Sequence, residues 1–377
     1  LAYAFSLDDV AFLRSAERVL SECAELDPTR IPDVEAARRI AGERAAAVLE
    51  TVALRRKARA KLDVRGWLFT GDALQQASAS AVARHRAARL QGRDVHDVTC
   101  SIGADLVELA KVADRVVGSD VDSVRLAMAR HNCPDVPLVR ADALHPVSRG
   151  TVIVADPARR DARGRRWRPE DFAPPLDRLA EVYAGRELAV KVSPGLDFTA
   201  LTWADEVELV SLDGQVREAC LWTGGLASTG RRATVLRSDG PQWTITSDEA
   251  DDIGAGAPGE WIIDPDGAVV RAGLVKHYGA RHGLWQLDER IAYLTGDEPP
   301  PGVRAFRIFE HGPYQEKALR VALKRHDIGR LEILVRGLDI DPDALRKRLK
   351  LRGTGAATAV LTRIGRSPVA FLCTAAA

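Results

Sequence analysis

Apolar residues recur at helical spacing through FSLDDVAFLRSAERVL, pause at Pro28 and Pro32, and resume in VEAARRIAGERAAAVLETVALRRKARAKL. The pattern predicts a small helical N-terminal domain over residues 1–62. From about residue 93 short apolar runs alternate with helical ones: VHDV precedes TCSIGADLVELAKVA, RVVGSD precedes VDSVRLAMARHN, and PLVRADAL, TVIVADPA and ELAVKVSPG follow. Strands alternating with helices predict a parallel sheet with crossover connections. Beyond Lys191, VELVSL, QVREACLWT and RRATVLRS read as antiparallel strands closing one edge of that sheet. Residues 63–238 are therefore expected to form an α/β domain.

The remainder has a different texture. Residues 239–302 hold Gly and Pro clusters, DIGAGAPGE and DEPPPG, around one helical run, and read as a connector with some structure. Residues 303–377 give a strand (RAFRIFE), a helix (QEKALRVALKRH), a strand (GRLEILVRG), a helix (DPDALRKRLKL) and two strands (ATAVLTRIG, PVAFLCTA). That βαβαββ order predicts a C-terminal α+β domain of ferredoxin-like character.

Composition narrows the function classes. With 377 residues, 46% hydrophobic and 28% charged, the chain is globular and long enough for several domains. No apolar run approaches eighteen residues, so no membrane span is expected, and the opening LAYAFSLDDV shows no secretory pattern. Cys23, Cys100, Cys133, Cys220 and Cys373 are scattered without a CxxC pair, which argues against a disulfide scaffold or zinc knuckle and fits the cytoplasm. The eight His form no HxxxH or HExxH pattern, so no metal site is expected.

Charge is segregated along the chain. Residues 301–377 carry 15 basic and 7 acidic groups, whereas residues 63–300 carry 28 basic and 36 acidic ones. A basic module on an acidic body is an electrostatic footprint for a polyanion such as RNA; docking on the acidic stretch between Asp239 and Glu298 is the plainer alternative. Arg makes up 45 of the 54 basic residues, so Arg abundance alone carries little weight.

The candidate chemistry lies in the alternating region. HDVTCSIGADLVELA follows the first strand and opens a helix, and Gly103 lets its backbone turn tightly against a ligand. A dinucleotide fingerprint needs three glycines there, so NAD and FAD are disfavoured, and a ligand without phosphate fits better. The second strand ends at Asp120, seventeen residues beyond Gly103, placed to accept both hydroxyls of a ribose. The third ends at Asp142, which can accept a hydrogen bond from an adenine amino group. Asp97 and Asp156 end the first and fourth strands, so four acids occupy the edge where open α/β sheets bind ligands.

This series resembles the class I S-adenosylmethionine-dependent methyltransferases over roughly residues 66–238. The resemblance implies a Rossmann-like sheet with S-adenosylmethionine as cofactor. It assigns Asp97 and the loop of Thr99, Cys100, Ser101 and Gly103 to the methionine end, Asp120 and Val121 to the ribose, and Asp142 and Ala143 to the adenine. The upstream GWLFTGDALQQASASAVARHRAARL is similar to the lead-in of trimethylguanosine-synthase-like RNA methyltransferases, where it covers the cofactor. The whole layout resembles bacterial methyltransferases with a THUMP-like C-terminal domain. Ser101 stands where the family commonly has Gly, and Ala104 follows Gly103 in a loop often richer in Gly.

The stretch DPARR, Asp156 to Arg160, sits where base N-methyltransferases usually carry Asn/Asp-Pro-Pro and an aromatic. Asp156 and Pro157 match, while Ala158 and Arg159 replace the second Pro and the aromatic. Asp156, Pro157, Ala158 and Arg159 are the expected catalytic group. Arg160, Arg163, Arg165, Arg166 and Trp167 crowd into the following loop and are candidates for RNA phosphates and an unpaired base. Lys191 is a further candidate for an anionic substrate group. No Cys lies in the ADPARR loop, which disfavours carbon-5 pyrimidine methylation. The expected function is methylation of structured RNA such as rRNA or tRNA. Methylation of a small molecule or protein, or a non-catalytic scaffold, are the alternatives.

Overall fold

The computed structural model describes residues 3–159 and 169–375. The chain folds as two compact units. The first runs to Leu212 and includes Arg217–Gly230 and Leu236–Pro241; the second holds Asp213–Val216, Arg231–Val235 and the chain from Gln242 onward.

The first unit begins with helices α1 (Leu7–Leu13), α2 (Glu17–Glu22), α3 (Ile31–Ala41) and α4 (Ala45–Ala58). A capping box starts α1: the Asp9 backbone N–H donates to Ser6 Oγ, and the Ser6 N–H donates back to the Asp9 carboxylate. Val10, Leu13, Leu20, Val48 and Val52 bury their side chains in one core with Cys100, Ile102, Leu106 and Met128. The N-terminal helices therefore share apolar packing with the loop expected to hold the cofactor.

Helices α5 (Gly71–Gln76) and α6 (Ser80–Ala88) lead into the sheet. It consists of β1 (Asp94–Asp97), β2 (Arg115–Asp120), β3 (Leu138–Arg140), β4 (Val152–Ala155), β5 (Leu188–Val192), β6 (Glu206–Leu212) and β7 (Gln215–Trp222), with α7 (Leu106–Leu109), α8 (Ser123–Asn132) and α9 (Leu176–Val182) on the crossovers. Strands run side by side in the order β3-β2-β1-β4-β5-β7-β6. The neighbours from β3 to β5 are parallel, and β7 lies antiparallel to β5. The order reverses at β1 and β4, so their carboxyl ends frame a crevice. The expected Rossmann-like sheet closed by antiparallel strands is what the chain forms.

Charge pins α6 to β6 and β7. Arg89 donates to Glu206 and Glu208 at 2.7 Å each and lies over the Trp222 ring, while His85 pairs with Glu208 at 2.7 Å. Arg86, 3% exposed, pairs with Glu218, 2% exposed, and with Asp105. Buried acids on strands demand such partners.

The second unit holds the antiparallel pair β8 (Arg231–Leu236) and β9 (Trp243–Thr246). Its main sheet is built from β10 (Trp261–Asp264), β11 (Trp285–Gln286), β12 (Leu294–Gly296), β13 (Arg304–Pro313), β14 (Ile328–Val335), β15 (Gly355–Ile364) and β16 (Ser367–Ala375). Their spatial order is β11-β12-β10-β13-β16-β15-β14. Helices α10 (Gly267–Arg271), α11 (Val275–His282), α12 (Glu316–Arg325) and α13 (Pro342–Leu349) complete it. The βαβαββ order expected after residue 303 is observed, with β14 and β15 parallel and the other neighbours antiparallel. Leu319, Leu323, Leu345 and Leu349 bury one side of α12 and α13 on Ala359 and Leu361 of β15, while Val360 turns to the opposite face with Phe306 and Phe371. Residues 239–302, read as a connector, supply β9 to β12 and two helices. These strands are two to four residues long between Gly and Pro clusters, too short to show alternation.

Candidate cofactor and acceptor site

At the carboxyl ends of β1, β2 and β4 lies a cavity of about 500 Å³, a size suited to a small organic ligand. Its wall comes from Asp97 to Ile102, Ala104 and Asp105 after β1, from Asp120, Val121, Asp122 and Arg125 around the start of α8, and from Ala141 to Leu144 after β3. Asp156, Ala158 and Ala173 to Pro175 form another side, and Ala73, Gln76 and Ala77 of the lead-in cover it. The four acids singled out in sequence thus meet in one place, joined by Asp105 and Asp122, with Arg125 the cation among the described lining residues.

Local backbone geometry explains their aim. Asp120 accepts the Ser101 N–H at 2.9 Å with one oxygen and the Asp122 N–H at 2.9 Å with the other. Ser101 adopts φ +50°, the left-handed conformation a glycine would take more easily, at about 1–2 kcal/mol. Asp122 caps α8 by accepting the Val124 and Arg125 N–H groups. Asp142 accepts the Leu144 N–H at 2.9 Å, and the Tyr183 hydroxyl donates to the Ala143 carbonyl at 2.8 Å. Asp97 is 3% exposed and accepts the Thr99 N–H at 3.1 Å. Burial and the nearby Asp105 and Asp156 charges outweigh that bond and Arg86, so its pKa is raised well above the ordinary carboxylate value.

Gly103 sits at φ +89° in the loop behind the cavity wall, and a Cβ there would lie 2.7 Å from Cys133 Sγ. Gly103→Ala is expected to lose about 1–3 kcal/mol of stability in denaturant unfolding. Adding Cys133→Ala should restore part of it, because the clash goes while the unfavourable φ stays; unchanged stability in the single variant would contradict this account.

Asp156 is fixed from two sides. Its backbone N–H donates to Thr99 Oγ1 at 2.6 Å, and Lys191 Nζ donates to its Oδ2 at 2.6 Å. Lys191 Nζ also donates to the Gln76 carbonyl at 3.1 Å, and Lys61 Nζ donates to the Leu74 and Gln75 carbonyls at 3.0 and 2.9 Å. Two lysines therefore cap the last carbonyls of α5, the helix that covers the cavity. Burial works against the Lys191 ammonium, but Asp156, Glu218 and Asp105 prevail and raise its pKa.

Among the other expected residues, Pro157 stands beside the wall rather than in it. Ala158 and Arg159 form a two-residue antiparallel pair with Phe172 and Ala173. Arg160, Arg163, Arg165, Arg166 and Trp167 lie outside the described residues. Cys100 lines the cavity, and burial with the Asp97 and Asp120 charges pushes its thiol well above the ordinary value, which suits it poorly as a nucleophile. All five cysteines are buried and unpaired. Among the described residues no helix is long and apolar enough to cross a membrane.

Sequence reasoning missed several contributors. Asn132 receives the Leu68 N–H on its amide oxygen and donates to the Leu68 and Ile102 carbonyls, tying the lead-in to the loop after β1. Arg86 donates to Asp105 at 2.6 Å and to Ser78 at 3.0 Å, supporting the same loop. Neither carries a local sequence signal.

The residues present fit a cationic nucleoside. Carboxylates dominate the wall, so a polyphosphate is repelled and a ligand with ammonium and sulfonium charge is attracted, while Asp120 and Asp142 offer acceptors for sugar and base.

Comparison with known proteins bears on the family of the chain. Residues 303–375 match the family described as THUMP domain-like. An uncharacterized S-adenosylmethionine-dependent methyltransferase of Mycobacterium tuberculosis, found in strains CDC 1551 and H37Rv, is 53% identical over 352 residues, covering 88% of this chain and 98% of that protein. The crystal structure of a candidate methyltransferase from Porphyromonas gingivalis W83 shares the fold over 100% of both chains with a TM-score of 0.78 at 21% identity. An acid-lined crevice at the strand ends, a THUMP-like C-terminal domain and a relative at 53% identity together place the chain in the S-adenosylmethionine-dependent methyltransferase family.

Proposed function

We propose that this protein methylates structured RNA, such as rRNA or tRNA, with S-adenosylmethionine as donor. The observation that carries the reading is the acidic cavity with Asp156 at one wall, held by Thr99 and Lys191. Bound there, the donor supplies an electrophilic methyl group on a sulfonium. Asp97 and the Thr99 to Gly103 loop would hold the methionine end, Asp120 and Val121 the ribose, and Asp142 and Ala143 the adenine. Asp156 and the Pro157–Ala158 backbone would orient the acceptor.

The RNA assignment draws on the second unit. Lys317, Lys324, Arg330, Lys347, Lys350, Arg352 and Arg366 are exposed and make no ion pair with a described residue. Cations without local partners are free to neutralise phosphates and release counterions. Binding to total RNA is therefore expected to weaken at least about tenfold between about 50 and 200 mM salt. Tritium from labelled donor should enter RNA taken from cells lacking the gene. Salt-insensitive binding, or turnover on a metabolite with none on RNA, would favour the small-molecule alternative.

A further inference from the structure

We propose that the acceptor is a hydroxyl, the 2′-hydroxyl of an RNA ribose, activated between Lys191 and Asp156. The proposal rests on the RNA reading above and specifies its chemistry.

The argument starts from donors. A lysine ammonium has three N–H groups. Lys191 commits one to Asp156 Oδ2 and one to the Gln76 carbonyl, and the third has no partner among the described residues. On Asp156, Oδ2 is taken by Lys191, while Oδ1 accepts nothing from a described residue. The pair therefore sets an ammonium with one uncommitted N–H, just behind the cavity lining, against a carboxylate that is 31% exposed in the cavity wall and has one oxygen without a partner among the described residues. A hydroxyl uses both at once: its oxygen accepts from Lys191, and its hydrogen is donated to Asp156.

Charge separates a hydroxyl from a base amino group. An attacking amine gains positive charge, whereas a hydroxyl losing its proton gains negative charge on oxygen, which a fixed cation stabilises. The Asp156 edge is cationic. Lys61 lies close enough that burial, with the Lys191 and Arg217 charges, lowers its pKa. Arg217 is exposed and makes no ion pair with a described residue. Glu218 and Asp105 face Lys191 too, but both are paired with Arg86. In RNA the hydroxyl within such a polar, cationic edge's reach is the ribose 2′-OH, flanked by phosphates that suit Lys61 and Arg217.

The step balances simply. The hydroxyl proton passes to Asp156 Oδ1, the oxygen forms its bond to the methyl carbon, and the carbon–sulfur bond breaks with its electron pair left on sulfur. Asp156 then returns the proton to water, and Lys191 stays an ammonium throughout.

Alkali reads the outcome directly, because a 2′-O-methyl group blocks hydrolysis of the adjoining phosphodiester. RNA methylated in vitro with tritiated donor should give its label in alkali-resistant dinucleotides, and DNA of matching sequence should take none. Label in mononucleotides carrying a methylated base would overturn the hydroxyl assignment and leave the RNA reading standing. Absence of label from RNA would overturn both. Lys191→Met should lower kcat at least about a hundredfold, the loss typical of removing one oxyanion donor. S-adenosylhomocysteine should still bind by calorimetry, which shows that the variant is folded; kcat near wild type would refute the role of Lys191.

Discussion

Asp156→Ala is expected to lower methyl transfer by about 10²–10⁴-fold while S-adenosylhomocysteine still binds. The carboxylate lines the cavity with one oxygen on Lys191 and the other without a partner among the described residues, so its loss removes the proposed acceptor contact and the counter-charge of the ammonium. The backbone N–H of residue 156 still donates to Thr99, so the loop keeps its path and the cofactor side of the cavity keeps its shape. Asp156→Asn tests the same point more finely. It preserves the shape and an oxygen for Lys191, but an amide is a poor proton acceptor, so transfer should fall nearly as far. Tritium incorporation reads the first quantity and calorimetry the second. Transfer at wild-type rate in Asp156→Ala would remove this residue from the chemistry.

The largest effect on stability is expected at Arg86. Its guanidinium, 3% exposed, lies between Glu218 and Asp105 and also donates to Ser78. Arg86→Met fills a similar volume but leaves two carboxylates short of a cation, one of them Glu218 at 2% exposure. Breaking a buried pair in this way costs about 3–5 kcal/mol. Adding Glu218→Gln should recover part of the loss, since a neutral amide needs no counter-charge, and the double-mutant cycle measures the coupling. Calorimetric unfolding is the suitable readout, because two compact units need not melt together. A change within about 0.5 kcal/mol would mean that the pair contributes no more than a surface contact.

The fold and the acid rim were legible in the sequence because both rest on local pattern. Each of Asp97, Asp120 and Asp156 stands at or just beyond the end of a short apolar run, and parallel strands carry their ends to one edge. Asp142 follows Leu138–Arg140 for the same reason. What stayed hidden depends on contacts between distant residues. Arg86 and Glu218 are 132 positions apart, and nothing near either announces the other. Lys191 read as a candidate for an anionic substrate group, and its ion pair with Asp156, 35 positions away, has no local signal. The N-terminal helices read as a separate domain, and their shared core with Ile102 and Met128 is invisible to periodicity, which marks an apolar face without naming its partner. Only the resemblance, which puts Ser101 where the family commonly has Gly, pointed to its left-handed backbone, since serine itself rarely adopts it.

Under the proposed function, the capping of α5 by Lys61 and Lys191 links the donor and acceptor sides of the cavity. Gln76 contributes to the cavity wall, and its carbonyl accepts from the same ammonium that donates to Asp156. Any shift of α5 when the donor enters is thus felt at the acceptor's anchoring point, and the reverse. If RNA is the acceptor as proposed, linkage makes the influence mutual: whatever factor RNA applies to the affinity for the donor, the donor applies to the affinity for RNA.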